Sequence, residues 1–151
     1  MQNVTIEPMQ DTDRDAVHQL LRGHRLPLEG FDDAHVVRIV ARQGDAVIGS
    51  AAIERYGSFG LLRSVAVEQS NRGRSLGSHL TREALALARR LGMTAVYLLT
   101  ETAATFFPRF GFVPVSRAEI PESVKGSVEF TTACPATAAA FVAYLPPEPR
   151  Q

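Results

Sequence analysis

The sequence predicts an α/β fold, with a mixed, mostly antiparallel sheet and helices on both of its faces. Three observations lead there. Residues 36–42, 46–55 and 59–68 read as strands joined only by Gly44-Asp45 and Tyr56-Gly57-Ser58, turns too short for anything but antiparallel neighbours. Segments of helical periodicity before and after that run carry apolar stripes that must be covered. The stretch TAVYLLT at 94–100 is apolar on both faces, as a strand covered from both sides should be. Strand–helix, three antiparallel strands, then helix–strand–helix–strand is the order of a layered mixed sheet.

Each element has a local reason. Val4-Thr5-Ile6 alternates as a short strand. The run Asp11-Thr12-Asp13-Arg14-Asp15 offers a helix cap with an acid three residues after Thr12, and Ala16, Val17, Leu20 and Leu21 follow at helical spacing until Gly23. Residues 24–34, HRLPLEGFDDA, are interrupted by Pro27 and Gly30 and read as a loop or short irregular helix. Leu76, Leu80, Ala84, Leu87 and Leu91 mark a second helix, closed by Gly92. Residues 103–110 read as a short helix ending at Gly111, 112–115 and 127–131 as strands, and 136–144 as a C-terminal helix. One domain is expected over residues 1–145, followed by the tail PPEPRQ at 146–151.

Composition narrows the function. The 16 basic and 16 acidic residues leave no net charge, which argues against nucleic acid as the main partner. Cys134 is the only cysteine, so no internal disulfide is expected and a reducing compartment fits. The first residues, MQNVTIEPMQDTDRD, lack an apolar signal core, and no apolar run of membrane-spanning length occurs. A cytoplasmic protein without a membrane partner is the expectation. His18 and His79 have no second ligand at metal spacing, so no metal is expected.

Between the third strand and the second helix lies Asn71-Arg72-Gly73-Arg74-Ser75-Leu76-Gly77-Ser78. Backbone amides left unpaired at a helix start attract anions, phosphate above all. This run, in SVAVEQSNRGRSLGSHL, together with AATFFPRFGF downstream, resembles the acyl-CoA-binding core of the Gcn5-related N-acetyltransferases (GNAT). In that family an Arg/Gln-x-x-Gly-x-Gly/Ala loop holds the CoA pyrophosphate. Ser75 stands where the family usually has its first glycine. The stretches ERYGSFGLLRSVAV, VYLLTETAATFFPRFGF and SVEFTTACP further resemble the arsenic-resistance N-acetyltransferases, which acetylate the amine of toxic amino acids such as arsinothricin and phosphinothricin.

The resemblance implies acetyl-CoA as co-substrate, held by Val65, Ala66, Val67, Arg72, Gly73, Arg74, Ser75, Leu76, Gly77, Ser78, Thr100, Ala103, Phe106 and Phe107. It implies that the Val67 N–H receives the thioester oxyanion. It also expects a tyrosine, as general acid, where Phe107 stands, and an asparagine where Thr100 stands. Tyr97, a threonine hydroxyl or the amides of the helix at 103 are the substitutes for that acid.

The acceptor amine is mostly protonated at neutral pH and needs a base. Glu54, an acid in the apolar strand GSAAIERYG, is the first candidate, and Glu101, at the end of the strand at 94–100, is its rival. Arg63 interrupts GLLRSVAV and demands an anionic partner, either a substrate carboxylate or an internal acid such as Glu54 or Glu101. Arg25 and Tyr56 complete the expected substrate site, with His24 and Glu29 weaker candidates beside Arg25. Cys134 reads as a small buried hydrophobe before it reads as a soft ligand. The partner is a small-molecule amine. A homodimer is common in the resembled family, and ATAAAFVAYL could serve an interface or the core.

Overall fold

A computed structural model describes residues 3–71, 75–130 and 138–146. Seven strands form one sheet: β1 (Val4–Pro8), β2 (Val36–Gln43), β3 (Ala46–Tyr56), β4 (Phe59–Val67), β5 (Ala95–Thr100), β6 (Val113–Pro114) and β7 (Ala139–Tyr144), in the order β1-β2-β3-β4-β5-β7-β6. Every pairing is antiparallel except β4 with β5. Among the described residues the helices include α1 (Arg14–Gly23), α2 (Leu76–Arg90) and the single turn α3 (Glu122–Lys125).

Strand alternation sorts the core onto two faces. On one face Leu76, Leu80, Ala84 and Ala88 of α2 pack on Ile39, Ala51, Ile53, Val96 and Leu98. On the other, Val17 and Leu21 of α1 meet Phe31, Val40 and Ala52, while Val124 of α3 meets Leu61, Tyr97 and Val142. Leu21, Val40, Leu80 and Val96 are fully buried, and each such side chain contributes roughly 1.5–3 kcal/mol by leaving water. Arg42 ties the sheet edge to the start of α1, donating to both Asp13 oxygens (2.9 and 2.7 Å) and to Glu7 (2.7 Å). Those hydrogen bonds hold the Asp13 carboxyl below its usual range.

The hairpin turns fall where glycine allows a positive φ, at Gly44 (60°) and Gly57 (65°). Three expectations need correction. Residues 139–144 are a strand rather than a helix, because Phe141 and Ala143 face the α2 side while Ala140 and Val142 face the other, filling the place between β5 and β6. Residues 128–130 form a helical turn rather than a strand, begun where the Ser127 hydroxyl accepts the Glu129 N–H (3.1 Å). The helix expected at 103–110 shrinks to a tight turn over Phe107–Phe110 that contains Pro108.

Candidate functional site

The site originates in a fault of β4. Ser50 faces Ala66 and Ala52 faces Arg63, so β4 carries one residue more than β3 between these pairs. The extra residue makes a bulge, with Ser64 at φ 61° and the Ser50 hydroxyl donating to the Ser64 carbonyl (2.8 Å). A non-glycine residue in that region costs roughly 1 kcal/mol. The bulge re-aims the second half of β4. Its parallel register with β5 ends at Leu61↔Tyr97, and beyond that pair the two strands part.

The gap is a cleft of about 710 Å³ lined by both strands, by Gly77 of α2, by residues 100–103, Phe106 and Phe107, and by the loop after α1. Within it the backbone supplies the donors. Glu68 N donates to Ile48 O of β3 (2.8 Å), so strand alternation turns the Val67 N–H away from β3 and toward the cleft. Among the described residues, the first α2 amide to find an acceptor is His79 N, on Ser75 O (3.0 Å), and Leu76, Gly77 and Ser78 precede it in the first turn. A β-carbon at Gly77 would stand 3.6 Å from Phe106 and 3.8 Å from Val67, so a larger side chain there would grow into the gap.

Of the residues expected at the cofactor, Val65, Ala66, Val67, Gly77, Thr100, Ala103, Phe106 and Phe107 line this cleft. The Leu76 side chain instead belongs to the core, leaving only its amide for a ligand. Ser75, where the resembled motif has a glycine, takes a left-handed conformation at φ 60° and ψ 17°. The Thr100 hydroxyl accepts the Ala103 N–H (3.0 Å) and shapes the chain entering the Phe107 turn. Phe106, Phe107 and Phe112 stack edge to face, and the ring of Phe107 offers the cleft no hydroxyl. Tyr97 packs against Phe59 on the opposite face and is no substitute donor. Arg72, Gly73, Arg74 and Cys134 lie outside the described residues.

The acceptor candidates separate into two places. Arg25, at φ 56°, is exposed on the cleft wall beside His24, and Glu101 stands exposed on the same cleft. Arg63 reaches the cleft, and four of its five N–H groups are bonded within the protein. Nη1 donates to Glu54 (2.8 Å) and to the Glu29 carbonyl (2.8 Å), Nη2 to the Pro27 carbonyl (3.0 Å), and Nε to the Ser64 hydroxyl (3.1 Å). It therefore staples the loop after α1 to β4 and forms an internal ion pair with Glu54.

Glu54, expected beside the cleft, is 1% exposed and lines a second cavity of about 290 Å³ with His35 and Tyr56. The Tyr56 hydroxyl donates to Glu54, and His35 Nε2 lies 3.3 Å from that hydroxyl. Burial, then the Glu54 contact, pushes the Tyr56 phenol well above its usual value, so it stays protonated. Tyr56 too belongs to this second cavity and not to the cleft.

Sequence reasoning passed over Glu129. It is 5% exposed, lines the cleft, and its Oε2 lies 4.0 Å from Arg63 Nη2. A strand reading of 127–131 treats Glu129 as one alternating position, and only the turn at Ser127 aims it inward. Among the described residues no group of three or more His, Cys, Asp or Glu could hold a metal, and no helix is long and apolar enough to cross a membrane.

Comparison with known proteins fits this geometry. The family model described as an acetyltransferase (GNAT) domain matches residues 33–114, more than half of the chain. The citrate (pro-3S)-lyase ligase of Klebsiella pneumoniae is 32% identical over 106 residues, which are 70% of this chain and 29% of that protein. The chain thus spans less than a third of that curated relative. N-acetylglutamate synthase of Neisseria gonorrhoeae, solved with coenzyme A and N-acetyl-glutamate, superimposes with a TM-score of 0.81 at 18% identity, over 96% of this chain and 36% of that one. A Mycobacterium tuberculosis protein solved with CoA and NLQ gives 0.77 at 21% identity, over 93% of this chain and 99% of that one. At these identities the two structures show the shared fold. The chain belongs to the GNAT acetyltransferase family.

Proposed function

We propose that this GNAT domain transfers the acetyl group of acetyl-CoA to the amine of a small amino-acid-like acceptor, by direct attack while both substrates are bound. The observation that carries the reading is the split between β4 and β5, with the Val67 N–H turned into it and the start of α2 at its edge. The amides of Leu76, Gly77 and Ser78 suit a pyrophosphate, and the Val67 N–H suits the thioester oxygen as it gains charge. Bare Gly77 leaves room for the cofactor to approach both. The coenzyme A held by the Neisseria and Mycobacterium proteins of the same fold supports the assignment.

An amino-acid acceptor is supported by the N-acetyl-glutamate in the Neisseria enzyme and by the exposed Arg25 guanidinium on the cleft wall, which suits a carboxylate. The narrower resemblance of ERYGSFGLLRSVAV to arsenic-resistance acetyltransferases puts glutamate-like arsenic and phosphorus toxins within that class. The single cysteine suits action in the cytoplasm.

Thiol release from acetyl-CoA against phosphinothricin, its arsenic analogue, L-glutamate, polyamines and short peptides tests the proposal. Release with the amino acids and silence with polyamines is the expected result. A specific observation favours one other reading. Phe107 removes the hydroxyl that would protonate the departing thiolate, which suits a domain that binds acyl-CoA without turnover. CoA binding with silence across the panel would establish that alternative.

A further inference from the structure

We infer that Glu129 accepts the proton of the acceptor amine, with Arg63 as its positioning residue; this deepens the acetyltransferase reading above and rests on it. Three carboxylates compete for the role. Glu54 lies on the second cavity, with one oxygen bonded to Arg63 and the other to Tyr56. Glu101 is exposed and sits with Thr100, Thr102 and Ala103 on the cofactor side of the cleft, where the leaving sulfur must go. Glu129 alone is both buried and on the cleft, on the side walled by Arg63 and the loop carrying Arg25. An amine adds to a face of the planar thioester carbonyl, so its base must share a cleft with the carbonyl held at Val67, as Glu129 does.

The surroundings keep that carboxylate in place. The Ser127 hydroxyl accepts the Glu129 N–H and fixes the turn, while Arg63, itself anchored by Glu54 and two loop carbonyls, lies 4.0 Å from Oε2. Among the described residues, the other charged and titratable groups lining this cleft are Arg63, His24, Arg25 and Glu101. The proton balance closes. The ammonium gives one proton to Glu129, directly or through one water, and the freed lone pair attacks the thioester carbonyl carbon. The new C–N bond forms, the tetrahedral intermediate collapses, and the C–S bond breaks. The second amine proton neutralises the departing thiolate, and Glu129 returns its proton to solvent.

The test is the pH–rate profile of thiol release from acetyl-CoA with phosphinothricin and with L-glutamate, measured beside CoA affinity for each variant. Glu129→Gln should lower kcat/KM about 100-fold or more, abolish the acid limb and leave CoA affinity unchanged. Glu129→Asp should keep the acid limb at a reduced rate, a pattern that a merely structural role would not produce. A Glu129→Gln enzyme with the wild-type profile overturns the inference while leaving the acetyltransferase reading intact. So does loss of the acid limb in Glu101→Gln alone. If Glu129→Gln does not fold, an unchanged kcat in Glu129→Asp overturns it. Silence of the wild type with both amines overturns the acetyltransferase reading and this inference together.

Discussion

The two halves of the cleft are built from different materials. The half proposed to hold the cofactor is backbone: the Val67 N–H, the first amides of α2 and the bare Gly77, all set by one bulge and one helix start. The half proposed to hold the acceptor is side chain: Arg63, Glu129 and Arg25, two of them buried and one exposed, with Arg63 held by contacts to residues far away in sequence. A backbone site tolerates changes of side chain as long as the chain path and the space survive. A buried charged cluster tolerates almost none, because each charge depends on the others.

The sharpest way to break this contrast is to truncate the staple. Arg63→Ala leaves Glu54 buried without its ion pair and frees two loop carbonyls, and should cost about 3–5 kcal/mol in chemical denaturation. Arg25→Ala, on the same wall but exposed, should change stability by no more than about 0.5 kcal/mol while raising KM for an acidic acceptor. Equal destabilisation by the two would mean that the buried cluster holds nothing.

On the backbone side, Gly77→Leu should weaken CoA binding by roughly tenfold to 100-fold, because its side chain grows between Val67 and Phe106. It should leave stability unchanged or raised, since leucine favours a helix by up to about 1 kcal/mol over glycine. Unchanged CoA affinity in calorimetry would place the cofactor elsewhere. A smaller effect is expected from Phe107→Tyr, which restores a hydroxyl to the cleft wall. It should raise kcat by about tenfold, below the usual contribution of a general acid because the thiolate already leaves readily, with CoA affinity unchanged. Ser75→Gly, which relieves the left-handed serine, should stabilise the domain by at most about 1 kcal/mol, read as a small rise in midpoint temperature.

The same division explains what the sequence revealed. Strand alternation, the turns at Gly44 and Gly57 and the periodicity of α2 are local signals, and they led to the sheet and its two covered faces. The backbone half of the cleft left a signal because a helix start and a plain strand make a short motif. Residues 139–144 were misread because their apolar pattern serves a strand between two neighbours as readily as a helix, and only pairing with β5 and β6 decides. Glu54 was misplaced for a related reason. Its place depends on the ion pair that Arg63 makes from the neighbouring strand, a contact set by the β3–β4 register rather than by any local signal. Glu129 was missed because its direction depends on one turn at Ser127.

The central claim is that the gap between β4 and β5 holds acetyl-CoA with its carbonyl at Val67. The most direct measurement is the backbone amide spectrum during titration with acetyl-CoA. The account predicts large shifts of the Val67, Leu76, Gly77 and Ser78 amides and little change at Glu68, whose N–H is already bonded to Ile48. Saturable binding that leaves the Val67 and α2 amides unmoved would contradict it.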